Sequence, residues 1–156
     1  MCKDRDPIEE VHASFRRHVP LVAEGIVEVV KVARNLGDRV IAVVRALDPT
    51  VDPVSVCFRP SRLIAQDLHE KICVVRHEED QAALIRNAIM PIGPSSAVRT
   101  PIVTLDEPAR VAWVEVPPDS ITFLSTAGQV ARVALVSRLV GWEVRFTAGG
   151  RGGRGA

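Results

Sequence analysis

One order of secondary-structure signals occurs twice along this chain, and that repeat restricts the fold more than any single residue does. Asp6-Pro7-Ile8-Glu9 reads as a helix start, with Asp6 as N-cap, Pro7 at the first helical position and Glu9 three residues after the cap. The helix is expected to run towards Arg17 and stop before Pro20. After Gly25, IVEVVKVARN is β-branched and partly alternating, NLGD is a turn, and RVIAVVRAL is a second strand. Asp52 reads as the cap of a short helix from Pro53. SRLIAQDLHEK reads as a second helix with Leu63, Ile64 and Leu68 on one face, and KICVVRHE as a third strand.

The second half repeats this order. DQAALIRNAIMP is a helix, PIGPSSAVRTP a linker-like stretch, and IVTLDEPARVAWVEVP a hairpin turning at Asp106 to Pro108. Asp119 is an N-cap candidate for DSITFLSTAG, GQVARVALVSRLVG is a helix closed by Gly141, and WEVRFT is the last strand. Each half therefore reads helix, strand, strand, helix, helix, strand. The segment Arg76 to Asp80 between them has no glycine-serine linker, so the halves are expected to form one rigid body. The closing GGRGGRGA is expected to be disordered.

Composition excludes several classes. The 156 residues are 47% hydrophobic with a net charge of +1, which argues against nucleic-acid wrapping by bulk attraction. Charge is uneven, however: residues 1 to 80 carry 12 basic and 14 acidic side chains, residues 81 to 156 carry 8 and 5. Cys2, Cys57 and Cys73 have no zinc or redox spacing and read as reduced thiols, with Cys57 and Cys73 buried. His12, His18, His69 and His77 have no ligand spacing, so no metal or other cofactor is expected. No nucleophile elbow, phosphate loop or carboxylate pair stands out, and no catalysis is expected. The charged N-terminus is unlike a secretory signal, and no apolar run reaches membrane-spanning length. A soluble, cytoplasmic protein is expected.

A duplicated strand-strand-helix-helix-strand unit with a tight turn between its helices resembles a pair of KH domains. RHVPLVAEGIVEVVKVARNLGDR, DPTVDPVSVC and EKICVV are similar to the first KH domain of the bacterial transcription termination and antitermination family NusA. GQVARVALVSRLVGWEV is similar to the second KH domain of that family. The resemblance implies an α+β fold of two tandem KH domains of type II, the prokaryotic-like form, each a three-stranded sheet covered by helices. It places the first KH-like domain at 14–80 behind a helical lead-in at 1–13, the second at 81–147, and a Gly/Arg tail at 148–156. No segment corresponds to the family's N-terminal polymerase-binding domain or to a complete OB-fold domain.

The resemblance also implies a binding chemistry. In KH domains a Gly-x-x-Gly turn brings backbone N–H groups and a helix N-terminus against the nucleic-acid backbone. Here Cys57-Phe58-Arg59-Pro60-Ser61-Arg62 replaces the first such turn, both glycines are gone, and Pro60 removes a donor. Ser125-Thr126-Ala127-Gly128-Gln129 replaces the second and keeps one glycine and the glutamine. The candidate RNA-binding residues are Arg59, Ser61, Arg62, Ser125, Thr126, Gly128, Gln129 and Arg132, with Arg151 and Arg154 of the tail as salt-sensitive helpers. Trp113 and Trp142 read as packing residues. The expected function is non-enzymatic binding of single-stranded RNA in transcription elongation, termination or antitermination, with RNA polymerase or other transcription factors as partners. The alternative is a protein-interaction module that uses exposed side chains such as Phe58 to dock on polymerase or a ribosomal component.

Overall fold

The computed structural model describes residues 6–89 and 102–148, and the chain divides into two compact units, Met1–His77 and Glu78–Ala156. The expectations for Cys2, the linker-like stretch, the Asp119 side chain, Arg151, Arg154 and the tail lie outside the described residues.

In the first unit, α1 (Pro7–His18) starts as expected, with the Asp6 carboxylate accepting from Ile8 N–H at 2.9 Å. Val19 is followed by a short α2 (Pro20–Ala23), where the sequence predicts only a break. Pro20 stops α1 because it cannot donate, and then starts a new turn because its fixed φ suits a first helical position. β1 (Val27–Asn35) and β2 (Arg39–Ala46) form the antiparallel hairpin, with a register shift between Val29 and Lys31. Gly37 takes φ +80° in the turn, where a side chain would be strained. α3 (Pro53–Phe58) and α4 (Pro60–Leu68) make the crossover that lets β3 (Lys71–Arg76) lie parallel to β2. The sheet order is β1-β2-β3.

The core of this unit lies between sheet and helices. Val11, Phe15 and Val19 meet Val27, Val40, Ala42, Val44, Val74, Cys57, Ile64 and Leu68. Full burial of a side chain such as Phe15 is worth about 1.5–3 kcal/mol. Burial raises the Cys57 thiol to about 11, so it stays protonated. Two expectations are corrected: Cys73 is only half-buried, and Leu63 is 47% exposed rather than sharing the buried face of Ile64 and Leu68. Asp67 ties α4 to α1 by accepting from Ser14 Oγ (2.9 Å), Arg17 and His18 Nε2 (2.8 Å), and the His18 bond, then those of Ser14 and Arg17, hold its carboxyl below the ordinary range.

The second unit opens with α5 (Gln81–Ile89). β4 (Ile102–Asp106) and β5 (Val111–Val116) form the second hairpin, with the turn at 107–110, slightly later than expected. α6 (Pro118–Leu124) begins one residue before the cap expected at Asp119, which falls in its first turn. α7 (Ala127–Val140) leads through Gly141 into β6 (Glu143–Ala148), parallel to β5. The sheet order is β4-β5-β6, the arrangement of the first unit again. Along β5 the pleat buries Ala112, Val114 and Val116 and turns Trp113 and Glu115 outward. The buried face of α7 carries Leu135, Val136, Leu139 and Val140.

Candidate nucleic-acid interface

The approach to the first helix pair is built from turn chemistry. Asp48 Oδ1 accepts from the Thr50 amide at 2.9 Å and the Thr50 hydroxyl at 2.7 Å. Asp52 caps α3, accepting from the Val54 and Ser55 amides at 3.1 and 3.4 Å and from the Ser55 hydroxyl at 2.9 Å. Arg76 donates to the same carboxylate at 2.8 Å from β3. The Ser55 hydroxyl above all, with Arg76 adding to it, holds Asp52 below the ordinary carboxylate range. Both Asp-Pro pairs thus fix the backbone.

No glycine loop joins α3 to α4. The junction is one residue, Arg59, with helical angles (φ −69°, ψ −46°), and the Arg62 amide donates back to Arg59 O at 3.2 Å. Such angles suit any L-residue, which explains how the chain dispenses with glycine there. Ser61 Oγ donates to Phe58 O at 2.6 Å, so its hydrogen is used inside the turn. The angles at Arg59 are helical, so Phe58, Arg59 and Arg62 lie within about one turn of one another along the chain. Phe58 is 65% exposed, and Arg59 and Arg62 are exposed beside it.

The state of those two arginines sets them apart. In the first unit Arg16, Arg17, Arg34, Arg39, Arg45 and Arg76 each have a carboxylate partner. Among the described residues Arg59 and Arg62 have none, and no acidic residue occurs between positions 53 and 66.

The second junction is built differently. Ser125 ends α6, its amide and hydroxyl both donating to Ile121 O, at 3.0 and 2.8 Å. Thr126 is extended (φ −70°, ψ 152°) and accepts the first bond of α7, from Val130 N–H at 2.9 Å, while its side chain makes no capping bond. The amides of Ala127, Gly128 and Gln129 therefore start α7 with no carbonyl of that helix to bond. Ser125, Thr126 and Gly128 are exposed, and Gln129 is half-buried. Arg132 points away from this opening, donating to Ala88 O at 2.8 Å and Ile89 O at 3.4 Å, where it satisfies the last carbonyls of α5. Reading Arg132 and Gln129 as one helix face did not anticipate that partner, which comes from 43 residues earlier in the chain.

The structure thus brings Arg59 and Arg62 together, with Ser61 alongside, and groups Ser125, Thr126, Gly128 and Gln129 at the start of α7. The sequence motifs also held a structural pair whose role was not read from them. Arg34 and Glu70 form a buried bidentate ion pair (2.8 and 3.1 Å), Glu70 accepts from Gly37 N–H at 2.7 Å, and Arg34 reaches Glu10 at 2.7 Å. Burial works to lower the Arg34 pKa, but its bonds to Glu70 and Glu10 outweigh that and raise it.

Residues 5–77 match the family model of the NusA-like first KH domain. The first unit is a NusA-like first KH domain. The chain as a whole is similar to proteins named transcription termination/antitermination protein NusA. It is 33% identical to the Thermus thermophilus protein over 138 residues, or 85% of this chain and 34% of that one. It is 36% identical to Bacillus subtilis NusA over 135 residues, or 83% of this chain and 34% of that one. The chain therefore spans about a third of the length of these relatives. Among solved structures, the crystal structure of APE1850 superposes with a TM-score of 0.53 at 19% identity, covering 84% of this chain and 96% of that one. That likeness speaks for the fold alone.

Proposed function

We propose that the chain is a non-enzymatic RNA-binding protein that acts, as its NusA relatives are named for doing, in transcription termination or antitermination, and in elongation. In this reading both units are type II KH domains, the first over residues 14–80 and the second over 81–147. Single-stranded RNA is the ligand. RNA polymerase or another transcription factor is the protein partner, and the cytoplasm is the location. Arg59 and Arg62 neutralise phosphates at the α3–α4 junction. Thr126, Gly128 and Gln129 offer hydrogen-bond donors at the start of α7, the Ser125 hydroxyl oxygen offers an acceptor beside them, Arg132 braces that helix, and Arg151 and Arg154 add weak, salt-sensitive contacts.

The observation that carries this reading is the pair of exposed guanidinium groups without carboxylate partners, in a unit whose other described arginines are all ion-paired. It is tested by titrating the full chain with single-stranded RNA across a salt series. Binding is expected to weaken steeply with salt. Replacing Arg59 and Arg62 together by Ala is expected to flatten the log–log slope by about 1.4, roughly 0.7 for each phosphate that is no longer neutralised. Absence of binding even at low salt would overturn the reading.

A further inference from the structure

We infer that the first unit grips RNA by stacking an unpaired base on Phe58, flanked by phosphate contacts from Arg59 and Arg62, in place of a backbone cradle. This rests on the RNA-binding reading above and specifies how the first unit carries it out.

Three observations meet at one spot. Phe58 is 65% exposed at the end of α3, so its ring face is open. With helical angles at Arg59, Arg59 follows Phe58 directly and Arg62 lies about one turn further along the chain. Among the described residues neither arginine has a carboxylate partner, so none of those cancels their charge. An exposed aromatic ring followed closely by two guanidinium groups matches a nucleotide, because the ring takes the base and the cations take neighbouring phosphates. A purely anionic ligand would use the arginines and leave the ring idle. A duplex does not fit either, since its bases are already stacked on one another and out of reach.

The local chemistry also explains why a cradle is not used here. Pro60 has no N–H, and Ser61 spends its hydroxyl hydrogen on Phe58 O. The donors a phosphate would need from the backbone are depleted at this junction, while side-chain donors and a stacking surface are concentrated on it. Stacking tolerates any base, so the first unit should bind with little sequence preference.

The test compares a labelled single-stranded RNA with an abasic strand of the same length and charge, titrated against the full chain by fluorescence anisotropy at fixed moderate salt. The wild type is expected to favour the base-bearing strand by about tenfold. Phe58→Ala should reduce that preference to near unity and leave the salt slope unchanged, while Phe58→Trp should keep or increase it. Arg59→Ala with Arg62→Ala should weaken both strands and flatten the slope. Because Phe58 is exposed, Phe58→Ala should melt at the wild-type temperature, which checks that the fold is intact. A preference for bases that survives Phe58→Ala, while the arginine variant loses affinity, would overturn stacking and leave RNA binding standing. Such a result would free Phe58 for a protein partner. Failure of the wild type to bind either strand at low salt would overturn both readings.

Discussion

The two units use one topology, yet they secure the same corner of it by different forces. The parallel pairs Arg39↔Lys71 and Val111↔Glu143 align the units, so that His69-Glu70 in the first stands where Gly141-Trp142 stands in the second. Glu70 and Trp142 are both buried, and each holds an arginine. Glu70 holds Arg34 by a bidentate ion pair and also takes the Gly37 amide of the hairpin turn. Trp142 holds Arg110 by the ring face, with the guanidinium 4.1 Å from the ring centroid and donating to Gly141 O at 3.1 Å. Each unit thus clamps an arginine here, Arg34 from β1 by a carboxylate and Arg110 from the hairpin turn by an indole. The two differ in risk, because a buried charge left alone is far worse than a ring left uncovered.

The largest predicted effect follows from that asymmetry. Glu70→Ala strips a 5%-exposed Arg34 side chain of its bidentate partner, leaving it Glu10 and the Pro7 carbonyl, and removes the acceptor of the Gly37 amide. The expected loss is about 3–5 kcal/mol, read by urea denaturation followed at amides of β1 to β3. Arg110→Ala should cost less, about 1–2 kcal/mol, from one cation–π contact and one carbonyl bond, with a shift in tryptophan emission from Trp142. Equal losses in the two variants would show that the clamps are energetically alike and break the comparison.

The helix pairs supply the next contrast, since α3 has a side-chain cap and α7 has none. Asp52→Ala should destabilise the first unit by about 1 kcal/mol. The sign with pH follows from the depressed Asp52 pKa. Its contribution is complete above the unfolded value of 3.8 and is lost as pH falls through the lower folded value. The wild type should therefore lose stability on acidification below about pH 4, and Asp52→Ala should lose less. Acid-unfolding curves that run parallel for the two proteins would remove the carboxylate from the account.

Much of this architecture was legible because periodicity and turn chemistry are local. Asp6, Asp52 and Gly141 announced helix ends, whereas Trp113, read as a packing residue, lies on the exposed face of β5. What escaped the sequence depends on partners distant along the chain. Arg132 read as a surface contact until α5 carbonyls came to meet it, and Arg34 and Glu70 gave no sign of pairing across 36 residues. The α3–α4 junction was legible only in part, for a subtler reason. The missing glycines were visible, but not that Arg59 would keep helical angles, which keeps Phe58 and Arg62 within about one turn of each other. The lack of glycine was the available signal, since an ordinary backbone path is what a glycine-free turn permits.

The smallest prediction tests the aligned corner at its backbone. His69 takes φ +57° and Gly141 φ +78°, so both units turn out of a helix through the left-handed region, one with a side chain and one without. For an L-residue that conformation costs about 1–2 kcal/mol, part of which glycine gives back by its greater freedom in the unfolded chain. His69→Gly should therefore stabilise the first unit by less than about 1 kcal/mol, seen as a rise in thermal midpoint. Gly141→Ala should do the reverse by about 1 kcal/mol, and through the backbone alone, because a Cβ there would sit 3.5 Å from the Arg110 guanidinium, an ordinary contact. Opposite signs at the two positions would mean the corner imposes one backbone geometry on both units whatever clamps it. If His69→Gly destabilised instead, the imidazole would be contributing something the backbone does not, and the two corners would be alike only in outline.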